Sequence, residues 1–128
     1  MADWNELREH MRRTYRLADD KLDLVSMVWR YEDGRSQKII LRHFEAFGRP
    51  MVELKSAFAR RQDAEPEQLL RRNAELPLAT IALAGDVYIV IYNALLEHLD
   101  FEDLDLYLSR VAAVADTLEE TYAQKDVF

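Results

Sequence analysis

Trp4, Leu7, Met11 and Tyr15 follow one another at spacings of 3, 4 and 4, the recurrence that places one apolar stripe on an α-helix. Asp3, with Glu6 three residues on, reads as a capping box that starts this helix. The pattern predicts its end near Ala18, where Asp19-Asp20 interrupts it. From Leu22 to Glu32 the period changes to two: Val25, Met27, Trp29 and Tyr31 fall on one face, Leu24, Ser26, Val28 and Arg30 on the other. Asp33-Gly34 is the signal of a two-residue type I′ hairpin turn. Gln37–Phe47 returns as a second strand, Gly48-Arg49-Pro50 turns the chain, and Met51–Ala59 makes a third strand with Val52, Leu54, Ser56 and Phe58 on one face. These strands predict an antiparallel meander.

A polar connection, Gln62–Pro66, leads to a short helix over Glu67–Glu75 with Leu69, Leu70 and Ala74 as its apolar contacts. Pro66 suits its first turn and Pro77 stops it. Leu78–Ala84 and Val87–Asn93 form a second hairpin around Gly85-Asp86, where glycine at the first central position fits a type II′ turn. The last element is a helix from Phe101 to about Ala123, with Asp100 as N-cap and Glu102, Asp103 and Asp105 in the first turn. Leu104, Leu108, Val111, Ala115, Leu118 and Tyr122 form its apolar stripe. The order α-β-β-β-α-β-β-α predicts an α+β fold over residues 1–128. The expected form is a single-domain two-layer sandwich, its five-stranded, mainly antiparallel sheet carrying helices on one face.

Several of these strands are apolar on both faces. Val87, Ile89 and Ile91 alternate with Tyr88, Val90 and Tyr92, and Trp29 and Tyr31 oppose Leu24 and Val28. A five-stranded sheet with three helices has difficulty covering both sides, so one face is expected to serve as an interface. The competing expectation is that the second helix and the loops bury both faces within one subunit. Homodimerisation is the simplest form of such an interface, because twofold dimers are the commonest oligomers.

Charge sharpens this picture. The net charge is −7, but residues 1–72 hold 15 Lys/Arg against 13 Asp/Glu and residues 73–128 hold 2 against 11. An acidic end repels phosphate backbones, so no nucleic-acid partner is expected. It reads as a solvated helix face that aids solubility, or as a surface steering a basic partner or the basic half of a second subunit. No apolar run approaches the roughly 20 residues that cross a bilayer. Met1-Ala2-Asp3-Trp4-Asn5-Glu6 carries no secretory hydrophobic region, so the expectation is a cytoplasmic protein without membrane contact.

Catalytic signals are lacking. There is no cysteine, hence no disulfide, thiolate nucleophile or cysteine-ligated metal. His10, His43 and His98 stand apart from one another. The segment Glu97-His98-Leu99-Asp100 has neither the His-x-x-x-His nor the Glu-x-x-His spacing of a metal site. His43 reads as an exposed or cross-strand residue and His10 as a helix-surface residue. Ser26, Ser36, Ser56 and Ser109 lack nucleophile-elbow glycines. Gly34, Gly48 and Gly85 each serve a turn, leaving none for a phosphate loop. Asp103 and Asp105 are accounted for by helix capping rather than glycosidase chemistry. The clusters Arg12, Arg13, Arg16 and Arg60, Arg61, Arg71, Arg72 read as solvated faces with local ion pairs, with an acidic-partner or phosphate site as the alternative. The prediction is a non-enzymatic chain with no cofactor and no metal.

The segment Leu83-Ala84-Gly85-Asp86-Val87-Tyr88-Ile89-Val90-Ile91-Tyr92, followed by Phe101-Glu102-Asp103-Leu104-Asp105-Leu106-Tyr107-Leu108 and by Ala115-Asp116-Thr117-Leu118-Glu119, resembles the closing hairpin and final helix of the YbjN family. The resemblance extends over nearly the whole chain as an order of elements. It implies the fold of the type III secretion chaperones and a role in regulating sensory transduction, with no catalytic residues. Secretion chaperones are small, acidic, cytoplasmic homodimers that bind an extended client segment, and this chain is similar in size and in its pI of about 4.9. The expected function is binding of a protein partner along an apolar sheet face or a sheet edge. Trp29, Tyr31, Phe44, Phe58, Tyr88 and Tyr92 are the candidate anchors, since large rigid side chains dominate interface energetics. A dedicated secretion chaperone for one client and a small-molecule sensor are the alternatives.

Overall fold

The computed structural model describes residues 3–123. Asp3 caps the first helix, α1 (Trp4–Thr14), its carboxylate accepting the Glu6 N–H at 2.8 Å. Trp4, Leu7 and Met11 are its buried face. The helix stops four residues earlier than its apolar spacing suggests, because Leu17–Lys21 is a strand, β1. This strand is the main departure from the sequence reading. Its two carboxylates, Asp19 and Asp20, are neutralised from neighbouring elements. Arg8 and Arg12 of α1 hold Asp20 at 2.7 and 2.6 Å, and Lys38 reaches Asp19 at 3.1 Å.

The other strands are β2 (Leu24–Arg30), β3 (Ser36–Ala46), β4 (Arg49–Arg60), β5 (Thr80–Ala84) and β6 (Val87–Leu95). All neighbours are antiparallel, and the six strands lie in the order β1-β2-β3-β4-β6-β5. The sheet therefore has six strands where the sequence predicted five.

The turns differ in an instructive way. Between β2 and β3, the Gly34 N–H bonds the Tyr31 carbonyl at 3.1 Å and the Tyr31 N–H bonds the Arg35 carbonyl at 2.9 Å. Only Gly34 has positive φ, at 90°. This is a three-residue loop ending in a left-handed glycine, not the two-residue turn expected at Asp33-Gly34. The two-residue turn with positive φ at both positions occurs at Phe47 (58°) and Gly48 (72°), between the paired Ala46 and Arg49. The Gly85-Asp86 turn has positive φ at the glycine alone, as a type II′ turn requires.

Further described elements are helix α2 (Pro66–Asn73) and helix α3 (Phe101–Tyr122), with a short 3-10 turn, Leu96–His98, ahead of α3. Asp100 caps α3 by accepting the Asp103 N–H at 2.7 Å. Leu104, Leu108, Val111, Ala115 and Leu118 of its predicted stripe are buried. They meet Val25, Ile39, Leu41, Val52, Leu54, Phe58 and Val90 of the sheet in one core. On α2 only Leu69 is buried, and Leu70 is 68% exposed.

All three helices lie on one side of the sheet. α3 packs on β3, β4 and β6. Trp4 of α1 stacks on His43 of β3 at 5.4 Å, and α2 contacts β5. His43 is thus partly covered by α1 rather than free on a strand surface.

Candidate partner-binding surface

Strand alternation places every second residue on the side that carries no helix. Cross-strand pairing assembles these residues into rows. One row crosses the whole sheet through Asp19, Ser26, Ile40, Lys55, Ile91 and Thr80. Beside it, Lys21, Leu24, Arg42, Glu53 and Asn93 form a second row. Phe44, Met51 and Leu95 form an apolar row at one end, and Ala57, Ile89 and Ala82 another at the opposite end.

The surface is thus a polar ladder between apolar margins. Glu53, only 8% exposed, is held by Arg42 at 3.2 Å and Lys55 at 3.3 Å. Burial alone would push its carboxyl pKa up, but the Arg42 hydrogen bonds and the Lys55 charge together outweigh this and hold it below the ordinary range. Asp19 is likewise lowered, first by the Ser26 hydroxyl, which donates at 2.6 Å, and then by Lys38. The Arg42 guanidinium also lies 4.6 Å from the centroid of the Phe44 ring, a cation–π contact. Lys21, Arg30, Lys38, Arg42, Lys55 and Arg60 on this face stand against Asp19 and Glu53. A chain of net charge −7 therefore presents a basic and apolar sheet surface.

The six aromatic residues singled out from the sequence do not come together here. Phe58 is 0% and Tyr88 2% exposed. Tyr88 is tied down by its hydroxyl, which donates to the Ala64 carbonyl at 3.0 Å. Both belong to the core, which removes them as anchors. Trp29 lies beside Tyr15 with ring centroids 6.1 Å apart, and Tyr92 lies against Tyr107 of α3 at 4.7 Å. Tyr31, one residue past β2, continues on their side, with its hydroxyl buried. All five sit on the helix-covered side because Leu54 pairs with Tyr92 and Val25 with Leu41. That register sends Val87, Ile89 and Ile91, rather than the tyrosines, to the open side. Of the six, Phe44 alone is on the open face.

The structure adds Phe47, which the sequence reading passed over. It sits at the β3–β4 hairpin tip, 97% exposed. Its left-handed φ of 58° is a conformation that costs a non-glycine residue about 1–2 kcal/mol. Backbone strain of this kind concentrates at functional positions. The signal available in the sequence was a phenylalanine directly before Gly48, where hairpin turns ordinarily carry asparagine or aspartate.

Both sheet edges are blunted. β1 carries Asp19, Asp20 and Lys21. On β5 the outward backbone of Ile81 is occupied by the Asn73 side chain, whose Oδ1 accepts the Ile81 N–H at 2.8 Å and whose Nδ2 donates to the Ile81 carbonyl at 3.2 Å. Charged and covered edges resist strand addition. Among the described residues there is no group of three or more side chains arranged to hold a metal ion, and no helix is long and apolar enough to cross a membrane. His10 is engaged with Asp105 at 3.0 Å and stacks on Phe101 at 4.5 Å. No protein-family model matches the sequence, and no curated protein matches it.

Proposed function

We propose that this chain is a non-enzymatic protein-binding module of the YbjN and secretion-chaperone type, which receives a partner segment on the open face of its sheet. The observation that carries the reading is the placement of all three helices on one side of the sheet, which leaves apolar rows and a surplus of cations on the other. The blunted edges favour the face over strand addition at an edge. The charge favours a partner segment that is apolar and acidic, since complementary potentials speed encounter and reject basic competitors. Phe44 and Phe47, at the same end of the face, are its anchors.

Self-association is the second reading, because the face is continuous and twofold dimers are common. A face-to-face twofold dimer would oppose two basic surfaces, so the acidic partner is preferred. Selection from a random peptide display library tests the proposal. Enriched peptides should combine acidic and apolar residues and lose binding to the Ile91→Asp variant. Enrichment of basic peptides, or unchanged binding by that variant, would overturn it. Light scattering across a dilution series separates the dimer reading.

A further inference from the structure

A second surface feature lies on the helix side, apart from the open sheet face. The end of α2 and the segment after it contribute Arg72, Leu76 and Pro77. One side of α3 contributes Arg110, Ala113, Val114, Thr117 and Leu118. Between them runs a groove of ≈ 500 Å³, within the roughly 300–1,000 Å³ typical of small-ligand sites. Its walls are mostly aliphatic, and Leu118 is buried in the core beneath it.

The two charged groups in this groove have the same sign. Arg110 is the one basic residue of α3, a helix rich in Asp and Glu. Positions 110, 113, 114 and 117 share one side of the helix at spacings of three and four, and that side carries no carboxylate into the groove. Arg72 enters from the opposite wall. Among the described residues, neither Arg72 nor Arg110 has a carboxylate partner, although Arg71 next in sequence pairs with Glu67 at 3.0 Å. Two guanidinium groups lining one apolar groove give it a positive potential that favours an anion there. Arginine forks match a carboxylate head group, with two N–H groups facing two oxygens.

We infer that this groove is a binding site for an amphipathic organic acid. Its carboxylate would lie between Arg72 and Arg110, and its hydrocarbon body along Leu76, Pro77, Ala113, Val114 and Leu118. The two parts of the site require both parts of the ligand. A short anion lacks the apolar contacts, and a neutral chain of equal length leaves the arginines uncompensated. The site is independent of the proposed sheet-face function, so failure of either leaves the other standing.

Amide chemical-shift titration of the full chain with decanoate, below its micelle-forming concentration, tests the inference, with decanol and acetate as comparisons. Saturable shifts confined to residues 72–77 and 110–118 are expected with decanoate. Affinity for decanol should be at least about tenfold weaker, the loss expected when a charge-assisted pair is removed, and acetate should show no saturation. Arg72→Ala and Arg110→Ala should each weaken decanoate by about tenfold while leaving the melting temperature unchanged, since both residues reach solvent. Equal affinity for decanol, shifts centred on the open sheet face, or no saturable binding of decanoate would overturn the site. Were either variant to melt early, the decanoate–decanol comparison on the parent chain would decide alone.

Discussion

Removing the guanidinium of Arg35 should cost a substantial share of the stability of the fold. Arg35 follows the β2–β3 loop and reaches the last turns of α3, donating to Asp116 at 2.9 Å and to Glu119 at 3.2 Å. Glu119 is 0% exposed, and the Asp116 side chain is largely covered. Arg35→Ala therefore leaves a fully buried carboxylate and a second, mostly buried one without this guanidinium. Breaking a buried ion pair by deleting one partner costs about 3–5 kcal/mol. Arg35 itself keeps some contact with water, so the lower end applies, about 3 kcal/mol. For a domain of this size that is a fall in Tm of roughly 9–15 °C. Far-UV circular dichroism melts and urea titrations measure it directly. The pairwise part is isolated by adding Glu119→Gln alone and with Arg35→Ala. With the carboxylate neutralised, loss of Arg35 should cost at least about 1 kcal/mol less than in the parent. A loss below about 1 kcal/mol for Arg35→Ala, or strict additivity in the cycle, would refute the view that this pair fastens the hairpin to the terminal helix.

Phe47→Asn relieves a left-handed phenylalanine and should raise stability by about 0.5–1 kcal/mol in urea at unchanged m-value, while weakening partner binding; a destabilised variant would mean the ring has contacts that matter. Burial first, and the charges of Asp116 and Asp33 second, push the Tyr31 phenol up to about 12. The fold favours its neutral form, so the associated stability is present below about pH 10 and is lost as pH rises through about pH 12. Tyr15 is raised in the same direction by burial and by its hydrogen bond to Asp105. Ultraviolet difference absorbance should show both phenols ionising together with unfolding, and ionisation at an ordinary tyrosine pH in the folded chain would contradict this. Asn73→Ala removes both hydrogen bonds from the Ile81 backbone, with an expected cost of about 1–2 kcal/mol and concentration-dependent aggregation. Unchanged light scattering at high concentration would show that the edge is protected by other means.

Helix stripes and glycine turns make most of the fold readable in the sequence. Asp3 and Asp100 are caps in the structure, and the residues predicted to line α3 pack into the core almost without exception. β1 was invisible because Leu17-Ala18-Asp19-Asp20-Lys21 has no alternation to detect. It is a strand through its pairing with β2 and through cations supplied by α1 and β3. The candidate surface was half legible. Two apolar faces on β6 could be seen, but period-two spacing treats Tyr88, Val90, Tyr92 and Val87, Ile89, Ile91 alike. Only the pairing register decides which set meets the helices. The basic character of the open face was hidden for a related reason. Its cations come from four strands and are diluted in the sequence by carboxylates that end up on the helices.

The seating of α1 has a spectroscopic consequence. The chain's two tryptophans both lie at that helix. Trp4 donates its indole N–H to the Leu22 carbonyl at 2.7 Å and stacks on His43, and Trp29 lies beside Tyr15, the residue that closes the helix. Intrinsic fluorescence is therefore a gauge of whether the first helix is in place. A ligand on the far side of the sheet should leave the emission unaltered, so any red shift on adding a partner would report that the helix had lifted away.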